Sequence, residues 1–472
     1  MFKRVLTVIL TFSFLLVPQS TTSAQESPTG PTYIVQSGDT LWDIASRFNV
    51  DLNELMVANG LEDGNLSVGD EILIPGLEGV TGVLRTETVP YGDNLRSLQR
   101  RTQAPNNVLI RLNRLVSPTE LYAGVSLIVP IDAEAPPLSS TTLSAGGTLL
   151  EEAIRQDSDI WSLVSLNALK NTSSALPGEV LYTPAEKNAG SSANGLPAAF
   201  ESASVSTLPL VQGNTAVIKV TTKEDVTLSG SLESDHKYEL HFFPSDEEEN
   251  TYVALQGVHA MAEPGAYPLK LKATYADGTI ESYEQMVLIT SGGYPNDPIL
   301  IVPPSTLDPS ITEGEQNELL ATISQISSDQ LWAGVFTNPS VYEDCFTSRY
   351  GSRREYRADD GSLDPYYSFH SGLDFCGGTG LAIDAAANGV VVFAGNTIVR
   401  GNATIIDHGR GVFTGYWHQS ESYVQTGDRV QAGDVIGLVG ASGRVTGAHL
   451  HWEVWVNGVQ VNPMEWLEQA YP

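Results

Sequence analysis

The chain has 472 residues, with 25 Lys and Arg against 56 Asp and Glu, a formal net charge of −31 and only two Cys. That length exceeds one ordinary hydrophobic core, so several domains are expected. So acidic a surface repels nucleic-acid phosphate and gains nothing from anionic lipid, which excludes both as partners held by bulk charge.

At the N-terminus Lys3 and Arg4 precede an apolar run from Val5 to Val17, and Thr22-Ser-Ala24 offers small residues for cleavage. Residues 1–24 read as a secretory signal peptide. The run is short for a membrane span, which needs about 20 apolar residues. An uncleaved anchor is the lesser reading, and no Cys follows that would suggest a lipid anchor. The mature protein is expected to be exported, to the cell envelope or the extracellular space, without stable membrane insertion.

A plan then repeats. Tyr33-Ile-Val-Gln-Ser-Gly-Asp-Thr-Leu41 leads into an amphipathic stretch and ends at Ile72-Leu-Ile-Pro75. Gly38, Gly92 and Gly146 recur at intervals of 54 residues, as do Asn59, Asn113 and Asn167. Pro75, Pro130 and Pro184 keep nearly the same step, and a fixed period marks repeated structural units. Each unit predicts a strand, a helix capped at Thr40, Asn94 or Thr148, a second helix and a closing strand. Asp43 and Glu151 follow their caps by three residues, as in a capping box. Asn59-Gly60 suits a left-handed helix stop.

Val35-Gln-Ser-Gly-Asp-Thr-Leu-Trp-Asp-Ile-Ala45, Asn59-Gly60 and Val68-Gly-Asp-Glu-Ile-Leu-Ile-Pro75 closely resemble the LysM family. The resemblance places modules at residues 32–76, 86–131 (divergent) and 141–185 (degenerate). It implies binding to the N-acetylglucosamine backbone of peptidoglycan or chitin. The third unit, Ala145-Gly-Gly-Thr-Leu149, lacks the Asp, and units two and three are open to a second reading as spacers. Several weak sites on one chain would gain avidity. The joints Ala133–Pro137 and Asn188–Gly195 are small and polar, which predicts mobile neighbours.

Residues 200–291 alternate with a period of two. Ala216–Thr221, Tyr238–Phe243 and Tyr252–Leu255 read as strands, and Asp277-Gly278 as a hairpin turn between Tyr267–Thr274 and Ile280–Tyr283. Roughly seven strands suggest an immunoglobulin-like β-sandwich acting as a spacer or positioning element. Its His236, His241 and His259 form no ligand motif, and Asp246–Glu249 reads as a solvated acidic loop. Residues 292–340 read as a Pro-rich linker and a short helix. The stripe Leu319, Leu320, Ile323 and Ile326 could dock on either neighbour.

Chemistry concentrates in residues 341–472. Five of the eight His (370, 408, 418, 449 and 451) lie there, beside Asp374. Neutral imidazole and carboxylate are the donors that zinc favours. On a strand, His449 and His451 share one face while Leu450 and Trp452 take the other. Gly372, between His370 and Asp374, would allow a turn that brings them together. Cys345 and Cys376 are most simply a disulfide in an exported protein, with Cys376 as a metal donor the rival reading.

The ordered set Thr347-Ser-Arg-Tyr-Gly-Ser-Arg353, His370-x-Gly-x-Asp374, Asp407-His-Gly409, Tyr416-x-His418 and Thr446-Gly-x-His-Leu-His451 resembles the lysostaphin-type (LytM-like) zinc metallopeptidases. It implies a compact antiparallel β domain with one Zn²⁺ held by His370, Asp374 and His451. His418 and His449 match the two catalytic histidines that do not bind metal. His408 stays unassigned, as support for a turn, and Gln419 stands where Leu is usual.

The chain is therefore expected to be multidomain and mainly β. It is expected to be an exported zinc endopeptidase cutting peptidoglycan stem or cross-bridge peptides, delivered by LysM modules. The alternative is a non-catalytic activator of other wall hydrolases.

Overall fold

The computed structural model describes residues 30–472, apart from 78–79, 81, 118–120, 132–137, 144–145, 178, 185–195, 198 and 343. The signal-peptide segment and both joints lie outside the described residues. The chain divides into two compact units, one ending at Leu84 and one beginning at Arg85.

In the first unit, strand Thr32–Ile34 pairs antiparallel with Glu71–Leu73 around helices Leu41–Phe48 and Leu52–Asn59. Tyr33, Ile44, Leu55, Ile72 and Ile74 fill the core. Thr40 caps the first helix and Gly60, at φ 63°, ends the second. Asp43 does not close a capping box, because its short carboxylate accepts the Thr40 hydroxyl at 2.6 Å. Glu151 does close one, and so does Ser97 with Asn94.

The repeated Asn has one job in all three repeats. Asn59 donates to the carbonyls of Leu55 and Leu73, both at 2.8 Å, and accepts the Leu73 amide at 2.7 Å. Asn113 ties Leu109 to Ile128 and Asn167 ties Leu163 to Tyr182 in the same way. One side chain thus joins the end of the second helix to the closing strand.

Within the second unit, the repeats after Arg85 make contacts with each other and with the following domain. The Tyr91 hydroxyl donates to the Leu269 carbonyl at 2.9 Å, and the Gln285 amide binds Gly92 N and Asp93 O at 2.7 and 2.8 Å. Arg100 reaches the third repeat at the Asn167 and Val180 carbonyls, 3.1 and 2.6 Å away, and pairs with Glu179.

The middle domain is a sandwich with nine strands among the described residues, where about seven were expected. One sheet orders Lys237–Leu240, Thr227–Glu233, Gly265–Thr274, Ile280–Thr290 and Leu210–Val211. The other orders Phe243–Pro244, Thr251–Gly257, Thr215–Thr222 and Phe200–Ser206. The stretch read as one strand, Tyr238–Phe243, is broken after Leu240 and passes from the first sheet to the second. The Asp277-Gly278 turn forms as expected, with Gly278 at φ 86°.

The C-terminal domain is built on a sheet ordered Phe346–Ser348, Leu373–Phe375, Leu450–Val456, Val412–Ser422, Asn402–Gly409, Gly389–Asn396 and Arg429–Val430. Asn457-Gly458, both at positive φ, turns the third of these into Val459–Val461. The Pro-rich segment contributes strand Leu300–Val302, parallel to Arg353–Ala358. Helix Pro309–Ile323 then docks on this domain, burying Leu319 and Ile323 against Ala403, Ile405, Phe413, Trp417 and Trp455. The expected stripe is narrower: Leu320 is exposed and the helix ends before Ile326. The sandwich shares this domain's main core through Val253, Leu255 and Ala260, and Asn462 N donates to Gly213 O at 2.7 Å.

Candidate active site

Three adjacent strands assemble the site. Asp374 lies directly opposite His451, and Trp417 faces His451 from the other side. Period-two alternation puts His449, His451 and Glu453 on one face, while Leu450, Trp452 and Val454 enter the core behind. Gly372 lies at a bend between strands Tyr366–Phe369 and Leu373–Phe375, as expected, and also meets a second requirement. A Cβ there would stand 2.3 Å from the Trp452 carbonyl oxygen and 2.9 Å from His451 Nε2. The glycine is required by close approach.

The donor atoms converge. Asp374 Oδ1 lies 2.9 Å from His370 Nε2 and 2.7 Å from His451 Nδ1, and those nitrogens are 3.1 Å apart. All three residues are buried, and among the described residues they form the one group of His, Cys, Asp or Glu able to hold a metal ion.

The surroundings fit a cation. His370 Nδ1–H donates to the Arg349 carbonyl at 2.8 Å, leaving the Nε2 lone pair facing Asp374. His451 Nε2–H donates to Glu453 Oε1 at 3.1 Å, leaving Nδ1 facing the same point. Two imidazole lone pairs and a carboxylate therefore meet, with each ring's outer nitrogen tied down as metal-binding histidines usually are. The spacings are slightly below the edge of a zinc tetrahedron, about 3.4 Å for bonds near 2.1 Å.

The buried carboxylates and imidazoles also shift one another's protonation. Burial pushes the Asp374 carboxyl up, but His370, His449 and His451 around it hold it well below the usual carboxylate range. Burial pushes His370 down. It also lowers His451, yet hydrogen bonds to Asp374 and Glu453 prevail and carry that ring to about 9. Glu453, despite its burial, is drawn down to about 2 by His451. On the other side Arg354 Nη2 stands 3.6 Å from Asp374 Oδ2 and donates to Ser348 Oγ at 2.8 Å.

His418 and His449 flank the cluster, with ring centres 5.1 Å apart, and His418 is 6.0 Å from His451. Alternation alone would send His418 into the core beside Tyr416. A bulge prevents this: Asn402 and Thr404 pair with Gln419 and Tyr416, so the His418 strand carries an extra residue. His418 takes φ 63° there and turns to the site. Its Nδ1–H donates to the Ser442 carbonyl at 2.8 Å, and burial lowers its pKa to about 3. His449 Nδ1–H donates to the Gly447 carbonyl at 2.9 Å, with Nε2 3.4 Å from Asp374 Oδ1.

The other candidates fall outside. Cys345 and Cys376 form a disulfide, so Cys376 is not a donor. His408 is fully buried, bonded to the Asn388 carbonyl and Thr414 Oγ1, both at 2.8 Å. Gln419 is buried and donates to Thr404 Oγ1 at 3.0 Å. In the sandwich, His236 pairs with Asp235 at 3.0 Å and His259 packs edge-on against Phe369. Glu453 was missed by sequence reading, although the alternation that pairs His449 with His451 continues to it. Ser348 and Arg349 lie in the Thr347–Arg353 stretch that carries the resemblance but had no role assigned, and Arg354 carried no signal.

Residues 368–463 match peptidase family M23, and residues 33–75 and 88–130 match the LysM domain. The chain thus has an M23 peptidase domain at its C-terminal end and two LysM domains at its N-terminal end. The DD-carboxypeptidase/endopeptidase Mpg of Neisseria meningitidis serogroup B is 43% identical over 98 residues, 21% of this chain and 23% of that protein. The peptidoglycan DD-endopeptidase ShyC of Vibrio cholerae is 43% identical over 94 residues, 20% of this chain and 22% of that protein. The murein hydrolase activator NlpD of Salmonella dublin is 37% identical over 101 residues, 21% of this chain and 26% of that protein. The chain spans about a quarter of the length of these curated relatives.

Proposed function

We propose that the M23 peptidase domain of this chain is a zinc-dependent endopeptidase hydrolysing amide bonds in the stem or cross-bridge peptides of peptidoglycan. The protein is exported and its LysM modules bring it to the wall. The observation that carries this reading is the convergence of His370 Nε2, His451 Nδ1 and Asp374 Oδ1, with both outer ring nitrogens already committed. These three would hold one Zn²⁺, and His418 and His449 would be the catalytic histidines.

When bound there, zinc supplies Lewis acidity, polarising an amide carbonyl and lowering the pKa of water to about 7. The protein's own groups do the rest. Each catalytic imidazole has its Nδ1–H on a backbone carbonyl, Ser442 for His418 and Gly447 for His449, and so presents Nε2. Such a nitrogen accepts a proton from the attacking water. Once protonated it stabilises the developing oxyanion or delivers the proton to the departing amine.

The first LysM module is the better glycan binder, because its Ser37-Gly38 turn is exposed. The equivalent Tyr91-Gly92-Asp93 turn of the second is buried against the sandwich. Residues 141–185 read as a third, degenerate module, supported by the shared Asn167 link. Residues 200–291 read as an immunoglobulin-like spacer.

The test is clearing of purified peptidoglycan by zinc-loaded protein. His449→Ala should retain zinc and lose about 100-fold or more of the rate. A second reading, an activator of other hydrolases, is favoured by the likeness to NlpD. It would stand if zinc-loaded wild type left peptidoglycan uncut while stimulating a separate hydrolase.

A further inference from the structure

His418 carries a Cβ yet stands in the left-handed region at φ 63°. That conformation costs about 1–2 kcal/mol, so its surroundings must hold it. Two turns do so. The Arg400 carbonyl accepts the His418 backbone N–H at 2.8 Å, and the Ser442 carbonyl accepts its Nδ1–H at 2.8 Å. The turns also hold each other: Arg444 N donates to Val399 O at 2.8 Å and Asn402 N to Ser442 Oγ at 2.9 Å. Gly401 makes this contact possible, since a Cβ there would lie 2.3 Å from Ser442 Oγ.

The turn at 398–400 is gripped from outside the sheet by Glu315, on helix Pro309–Ile323, upstream of the residues that match the peptidase family. Glu315 Oε2 accepts the amides of Ile398 and Val399 at 2.7 and 2.9 Å. Its Oε1 accepts the Arg400 amide at 3.3 Å and Arg400 Nη1 at 2.9 Å. The side chain is only 7% exposed. Three successive backbone amides and a guanidinium on one carboxylate make a strong, charge-assisted grip. Further along the helix, Leu319 and Ile323 pack in one cluster with Trp417, the residue before His418.

We infer that Glu315 is a positioning residue for His418, acting through the turn at 398–400, so that helix Pro309–Ile323 is a working part of the active site and not a linker. This rests on the reading of His418 as a catalytic histidine. The helix settles the bulge, and the bulge aims the imidazole.

The experiment compares full-length Glu315→Ala with wild type and with Leu320→Ala, an exposed position on the same helix. Displacing a catalytic group by a fraction of an ångström should lower kcat about 10- to 100-fold, with KM and bound zinc unchanged. The Nδ1 proton of His418, donated to the Ser442 carbonyl, should shift or vanish in the NMR spectrum of Glu315→Ala and persist in Leu320→Ala. Should Glu315→Ala fail to fold, Glu315→Gln keeps one acceptor oxygen and should show the same pattern with a smaller loss. Wild-type kcat together with an unmoved His418 signal would overturn the proposal, as would a loss that follows zinc content. If wild type itself does not hydrolyse peptidoglycan, the peptidase reading fails separately and the His418 proton decides the positioning role: its loss in Glu315→Ala supports it, its persistence ends it.

Discussion

Glu453 Oε1 lies 3.1 Å from His451 Nε2, so the outer N–H of one proposed metal ligand is donated to a buried carboxylate. The same carboxylate is itself fixed by Ser371 Oγ at 2.5 Å and Trp455 Nε1 at 2.8 Å. A ring held this way presents Nδ1 in one orientation and as a stronger base. Glu453→Gln keeps the shape but removes the charge. Zinc affinity should fall about 10- to 100-fold, measured by competition with a chromophoric chelator. Unchanged affinity would mean that Glu453 serves packing alone.

The repeated Asn predicts a local effect in each module. Asn167 makes three hydrogen bonds from a site that is 1% exposed, to Leu163 O, Tyr182 O and Tyr182 N. Asn167→Ala strands those groups at about 1–3 kcal/mol each where no water replaces the side chain. Amide exchange at Tyr182 should accelerate by roughly tenfold or more, as local opening becomes easier. Asn59→Ala should do the same at Leu73. Exchange unchanged in both variants would leave the shared period without its structural reason.

Much of this was legible in the sequence, and the pattern of misses is physical. Local rules worked: caps at Thr40 and Thr148, the Asn457-Gly458 turn, and a period of two that faces His449 and His451 one way. Long-range facts had no local signal. The Asp374–His451 pairing joins residues far apart in the chain, and the hydrogen bond from Gly92 to Gln285 spans 193 positions. His418 stands beside the cluster only because a bulge breaks the alternation that any strand reading assumes. Gly372 bends the chain as expected, but its close approach to the Trp452 carbonyl had no local signal. The docking of helix Pro309–Ile323 turned on Leu319 and Ile323, two of four apolar residues that sequence could not rank.

Stability should carry a pH dependence from Glu465, at the contact between sandwich and peptidase domain. Its carboxylate accepts Thr215 N at 3.0 Å, and burial raises its pKa to about 7. With the folded value above the ordinary 4.5, its contribution is fully present below 4.5 and is lost as pH rises through 7. Glu465→Gln should therefore match wild type near pH 4.5 and exceed it in thermal midpoint at pH 7.5. Burial depresses His408 to about 4, which gives the opposite slope, present above 6.5 and lost as pH falls through 4. Because both variants retain His408, the difference between them isolates Glu465. A difference that does not grow from pH 4.5 to 7.5 would contradict the assignment.

The most direct measurement is mass spectrometry of the fragments released when zinc-loaded wild type acts on purified peptidoglycan. A site built from His370, Asp374, His451, His418 and His449 should release peptides with new amino termini and leave the glycan chains uncut. New reducing ends, or fragments released equally by His449→Ala, would contradict amide hydrolysis at this site.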